Sequence, residues 1–205
     1  MTASTNRAIP LLIALLATIG PLGIDMYLPS IPTMAQSLNS SEGAVQLSLM
    51  TFFVGLMLGQ LIYGPLSDKF GRKPFIYLGL SIFSLGSIAC AMVETVQQLQ
   101  WIRFVQGLGG SIGMVIAFAI IKDQYKGPAM GKMMSMVLAI LGLSPIAAPL
   151  IGDGLQHLGS WRTIFIFLAI YAVIVIIAVA KLLPETRSVQ QREQFKLSKT
   201  FNHYA

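Results

Sequence analysis

Few residues in this chain could do chemistry, and the first of them is Asp25. It lies near the end of an apolar run, about one helical turn before Pro29, with Pro32 beyond. A carboxylate at such a depth costs several kcal/mol unless it is protonated, hydrated or paired. Two readings fit. Asp25 takes and releases a proton and binds substrate, or it is an interfacial cap in contact with headgroup water.

Arg103 is the natural partner for Asp25. It enters a later apolar run a few residues from the same side, and Gln106 follows one turn on along the same face. An arginine there either snorkels to the interface or faces the interior of a helix bundle. In the second case its charge acts on Asp25, and proton release depends on the distance between the two helices.

Other chemistries find little support. Cys90 is the single cysteine, so no intramolecular disulfide can form. For His157 and His203 we identify no neighbouring carboxylate, Cys or His at metal-ligand spacing. The glycines 107, 109, 110 and 113 imitate a dinucleotide loop, but residue 112 is Ile and no strand precedes them. Ser48, Ser87 and Ser111 have no histidine base nearby and are expected to hydrogen-bond across helices. No cofactor and no enzymatic reaction is expected.

The elements that must position Asp25 and Arg103 follow from composition. The 205 residues are 55% hydrophobic and 11% charged, with mean hydropathy +0.72. Too few polar side chains exist to cover a water-soluble globule, so an all-α membrane protein is expected. Six runs have spanning length: Ile9 to Leu28, Leu47 to Leu66, Phe75 to Val93, Trp101 to Ile121, Met133 to Gly152 and Trp161 to Leu183. Continuous apolar runs exclude the alternation of barrel strands, leaving six helices. The first is read as a retained helix, because it ends in Asp25 and prolines and has no small-residue cleavage site.

Orientation follows from the cations. The segment Gly64 to Pro74 reads as a basic hairpin holding Lys69, Arg72 and Lys73 with Asp68 and Gly71, and cations in a short loop favour the cytoplasmic side. Both termini then fall inside, together with Lys122, Lys126, Lys132, Lys181, Arg187, Arg192, Lys196 and Lys199. The stretches 33–46 and 94–100, read as outer loops, contain no Lys or Arg, and Arg162 stands at the third outer boundary. This bias accounts for the net charge of +6 without a nucleic-acid partner.

Residues 1–184 form the expected six-helix bundle, and 185–205 a polar cytoplasmic tail or linker. Gly55 with Gly59, and Gly109 with Gly113, have the four-residue spacing that lets a neighbouring backbone come near, although glycine is common in membrane helices anyway. The fifth run contains Gly142, Pro145, Pro149, Gly152 and Gly154. It is expected to be a bent, closely packed helix, suited to a pivot or seal or simply kinked.

These residues resemble the N-terminal half of a major facilitator superfamily transporter, most closely the bicyclomycin and chloramphenicol resistance branch of bacterial drug:proton antiporters. Gly64 to Pro74 is similar to the loop between helices two and three. Arg103, Gln106, Gly107 and Gly109 are similar to the proton-coupling motif of helix four. Gly142 to Gly154 resembles the export motif of helix five, with Ser144 where the family usually has glycine before Pro145, and Asp153 where a second glycine is usual. IDMYLPSIP, Ile24 to Pro32, resembles the branch's first-helix signature, and the WRTIF segment fits as well.

The resemblance implies proton-coupled export of amphipathic, drug-like molecules across a bacterial inner membrane, driven by the proton gradient. Asp25 would carry proton and substrate, Arg103 and Gln106 would couple, and Asp68 with Arg72 would form an inner charge network that breaks in one conformation. Lys73, Gly64 and Gly71 belong to the same gating loop. It also implies a second six-helix half, with the tail beginning the loop that joins the two. The alternative is a transport-inactive half that requires a partner chain. An importer of a small nutrient leaves the fifth-helix resemblance unexplained.

Overall fold

The computed structural model describes residues 8–183. The tail from 185 to 205, with Arg187, Arg192, Lys196, Lys199 and His203, lies outside the described residues. The helices are α1 (Ala8–Asp25), α2 (Ile31–Ser37), α3 (Glu42–Phe70), α4 (Arg72–Ala91), α5 (Val96–Gln124), α6 (Gly127–His157) and α7 (Trp161–Leu182), and a single 3-10 turn (Leu28–Ser30) joins α1 to α2. With α1 and α2 taken as one interrupted span, six helices are long and apolar enough to cross a membrane. Among the described residues there is no strand.

The interruption after Asp25 has a local cause. Pro29 sits within the 3-10 turn and Pro32 in the first turn of α2, where its missing N–H costs nothing. The chain therefore stops and restarts, instead of continuing as one rod to Leu28. What was expected to be a loop from residue 33 is helical to Ser37.

The helices overrun the apolar runs at several ends. α3 and α5 have 29 residues each and α6 has 31. At about 1.5 Å per residue such helices exceed a hydrocarbon core of about 30 Å, so their ends reach the headgroup layer, where polar residues no longer mark a loop. The expected hairpin Gly64 to Pro74 is correspondingly reduced to one residue. Helix α3 continues to Phe70, α4 begins at Arg72, and Gly71 reverses the chain at φ 103°, a backbone conformation that favours glycine. Lys122 and Lys132 are likewise on helices, not in a loop.

The N-terminal ends of α3, α5 and α7 are closed by side-chain caps. Ser41 accepts from the Ala44 amide at the start of α3, while Thr95 with Gln98 and Ser160 with Thr163 form capping boxes on α5 and α7. Arg162 ties three elements together there: its Nη2 donates to Val93 O (2.9 Å), its Nη1 to Ser37 Oγ (3.3 Å), and its guanidinium lies 4.2 Å from the Trp161 ring centre.

Helix α5 is the centre of the bundle, the most buried of the six spans, and α6 is its open flank, the least buried. Close approach of backbones holds α5 in place. A Cβ on Gly55 would collide with Phe104 O, and one on Gly59 with Ser111 Oγ; one on Gly109 would meet Gly79 O and one on Gly113 Leu16 O. Both glycine pairs read from the sequence therefore serve packing.

Candidate functional site

Arg103 lies wholly inside the bundle, with no exposed surface. It does not snorkel. α5 carries it beside the end of α1, where Nη2 donates to Gly23 O (2.8 Å) and Nη1 to Gln106 Oε1 (2.7 Å). Aromatic faces surround the guanidinium: its carbon is 4.1 Å from the Phe52 ring centre, 4.5 Å from Tyr27 and 5.8 Å from Phe165. A delocalised cation tolerates such a site because the ring quadrupoles replace part of its lost hydration. Arg103 Nε has no acceptor among the described residues.

Gln106 is equally buried, and its Nε2 donates to Ser87 Oγ on α4 (2.7 Å). Cys90 Sγ stands 3.9 Å from Gln106 Oε1, a weak thiol contact. Tyr27 OH is 3.4 Å from Ser48 Oγ. Two of the three serines therefore bond across helices as expected. Ser111 instead donates to Leu108 O in its own helix (2.8 Å).

The expected pairing of Asp25 with Arg103 is not formed. Among the described residues Asp25 has no ion-pair or hydrogen-bond partner, and it is half-buried as the last residue of α1. The helix explains this. Residues two apart point about 200° away from each other, and the Gly23 side of α1 faces Phe52 and Phe83. Asp25 therefore faces away from the aromatic enclosure. Arg103 reaches the backbone of α1 instead, two residues before the carboxylate.

A second constellation occupies the end of the bundle where α3, α4 and α5 meet. Arg72, only 4% exposed, pairs through Nη2 with Asp68 Oδ1 (2.6 Å) and through Nε with Asp123 Oδ2 (3.1 Å), and its Nη1 donates to Ser67 Oγ (2.8 Å). Three partners on one guanidinium compensate its burial. A cavity of about 400 Å³ opens beside it, lined by Gly64, Asp68, Val115, Phe118, Lys122 and Asp123. The sequence reading missed Asp123. The available signal was an acid at the polar end of a run, directly after Lys122.

The fifth-run motif divides between two faces of α6. Ser144, Ala148 and Gly152 recur every four residues and are buried. A Cβ on Gly152 would collide with Met26 O, just past the end of α1. Gly142, Pro145 and Pro149 lie on another stripe: Gly142 and Pro145 are exposed, Pro149 is half-buried, and a Cβ on Gly142 or Gly154 would meet nothing within 4 Å. The expectation of close packing holds for Gly152 and fails for Gly142 and Gly154. His157 also needs correction, because Asp153 stands one turn before it with the two side chains 3.6 Å apart, both exposed. Among the described residues no group of three or more His, Cys, Asp or Glu could hold a metal.

Sequence reasoning named Arg103 and Gln106 but not the rings around them. Tyr27 stands inside the quoted first-helix signature, whereas Phe52 and Phe165 are ordinary members of apolar runs.

Comparison with known proteins agrees with this architecture. The family model described as Major Facilitator Superfamily matches residues 13–202. The chain is 38% identical over 93% of its length to the uncharacterized MFS-type transporter YdgK of Bacillus subtilis, covering 48% of that protein. It is 32% identical over 92% of its length to the bicyclomycin resistance protein homolog of Haemophilus influenzae, covering 47% of it. The solved structure of the proton:xylose symporter XylE superposes at TM-score 0.78 with 14% identity, over 91% of this chain and 46% of that one, which speaks for the fold alone. The chain thus spans about half the length of the curated relatives it matches. It belongs to the Major Facilitator Superfamily and carries one six-helix half of that fold.

Proposed function

We propose that this chain forms the front half of a proton-driven exporter of amphipathic, drug-like molecules in the bacterial inner membrane, with both ends of the half on the cytoplasmic side. The observation that carries the proposal is the fully buried Arg103 held to Gly23 O, two residues before the carboxylate of Asp25, which has no partner among the described residues. An acid within a membrane span is costly and marks a pathway for ions or substrate. With no cation fixed beside it among the described residues, Asp25 can exchange a proton for substrate. Arg103 and Gln106 couple this exchange to the position of α1. The similarity to a protein named for bicyclomycin resistance supports a drug-like cargo.

The remaining site residues take supporting roles. Arg72, with Asp68 and Asp123, latches the inner end in one conformation and releases it in the other, while Gly71 sets the turn and Lys73 adds to its charge. Gly64, Gly142, Pro145 and Pro149 present surface to the second six-helix half, and Gly152 seats α6 on α1. The proton gradient supplies the energy and no cofactor takes part. The partners are the drug, protons, the bilayer and the second half.

The test is drug efflux driven by a pH gradient in the full-length protein carrying Asp25→Asn. Abolished efflux at normal abundance supports the assignment, and normal efflux defeats it. A second reading is a transport-inactive half that requires a partner chain. Intact mass of the protein in native membranes separates the two: about 22 kDa points to the half, about twice that to a two-half transporter.

A further inference from the structure

Ser87 plays no part in the function proposed above, yet it is wholly buried beside Gln106. Its Oγ lies 2.7 Å from Phe83 O, one turn back in α4, and 2.7 Å from Gln106 Nε2. A carbonyl only accepts, so Ser87 must give its one hydrogen to Phe83, leaving its oxygen able only to accept from Gln106. Gln106 is then obliged to present its NH2 group to α4 and its Oε1 to Arg103, whose guanidinium only donates. The chain Arg103 to Gln106 to Ser87 to Phe83 has a pure donor at one end and a pure acceptor at the other. Only one direction of hydrogen bonding satisfies it. A flipped amide would set Nε2 against Arg103 Nη1, donor against donor in a buried site, and leave Oε1 facing a hydroxyl whose hydrogen is already used.

We infer that Ser87 is a positioning residue: by fixing the Gln106 amide it holds the Arg103 guanidinium against the Gly23 carbonyl of α1. The coupling consequence rests on the role proposed for Arg103, whereas the geometric part stands independently of it. Removing the hydroxyl takes away the α4 anchor of the amide, so Gln106 Oε1 is held only by Arg103 itself and the bond between them loosens.

The experiment is ¹⁵N NMR of the arginine guanidinium groups in the full-length protein in lipid nanodiscs, with the Arg103 lines assigned by their loss in Arg103→Lys. Wild type should show separate Nη1 and Nη2 lines, because both nitrogens are held. Ser87→Ala should merge or broaden them, and Ser87→Thr, which retains the hydroxyl, should keep them apart. In a Gln106→Glu background a carboxylate holds Arg103 by itself, so adding Ser87→Ala should change nothing further. Drug efflux at saturating substrate should fall about three- to tenfold in Ser87→Ala, in proportion to one lost neutral hydrogen bond, and recover in Ser87→Thr. Unchanged Arg103 lines in Ser87→Ala overturn the inference, as does a further change in the Gln106→Glu background. Merged lines with unaltered efflux, in a protein whose Arg103→Lys variant is inactive, overturn the positioning role in transport. If Arg103→Lys itself transports normally, the coupling reading fails and the NMR result still decides the geometry.

Discussion

Arg103 on α5 and Gly23 on α1 are joined by a 2.8 Å hydrogen bond from guanidinium Nη2 to backbone carbonyl. A backbone carbonyl near a helix end is a fixed acceptor, so this bond registers α5 against the last turn of α1, the turn that ends in Asp25. An arginine that binds Asp25 itself would neutralise it. Arg103 holds its scaffold and, among the described residues, leaves the carboxylate without a cation partner.

Replacing Arg103 by Lys keeps the charge but loses the planar fork that serves Gly23 and Gln106 together and the stacking on Phe52 and Tyr27. The expected cost is about 2–4 kcal/mol, the range for disrupting a buried charged network. It is read as a lowered thermal midpoint of the purified protein.

Asp25→Asn should behave in the opposite way. The carboxylate has no ion pair or hydrogen bond to lose among the described residues, so the thermal midpoint should shift by no more than about 0.5 kcal/mol equivalent. A large loss of stability would place a structural partner on Asp25 and weaken its proposed exchange role.

Two glycines of α6 should respond oppositely to the same change. Gly152→Ala drives a Cβ into the carbonyl of Met26, which can give way only by moving backbone, at a cost of about 1–3 kcal/mol. Gly142→Ala meets open space and gains helix propensity, stabilising this half by about 0.5–1 kcal/mol. Thermal unfolding of both variants side by side checks the contrast.

At the turn between α3 and α4, Gly71→Ala puts a side chain at φ 103°. The expected penalty is about 1–3 kcal/mol, visible as reduced abundance in the membrane. Asp123→Asn removes one of the two carboxylates that pair with Arg72 and should destabilise by about 1–3 kcal/mol. The same measurement reports it.

The length of the apolar runs determined the number of spans, six, although the first is broken into two helices. Hydrocarbon excludes unpaired backbone, and no other regular structure fits continuous apolar segments. The four-residue glycine spacings also marked the close contacts of α5 correctly, because only glycine permits backbones to approach so near.

What tertiary structure decided was direction. Depth along two helices placed Asp25 and Arg103 at one level, yet rotation about α1 turns them apart, and rotation is not written in a run that is apolar on every side. The rings of Phe52 and Phe165 come to Arg103 from α3 and α7, which are distant in sequence. Asp123 reaches Arg72 across α4 and α5. The two stripes of α6 separate only once α1 covers one of them. In each case an apolar surround makes every face of a helix acceptable to lipid, so packing against neighbours sets which side chains meet.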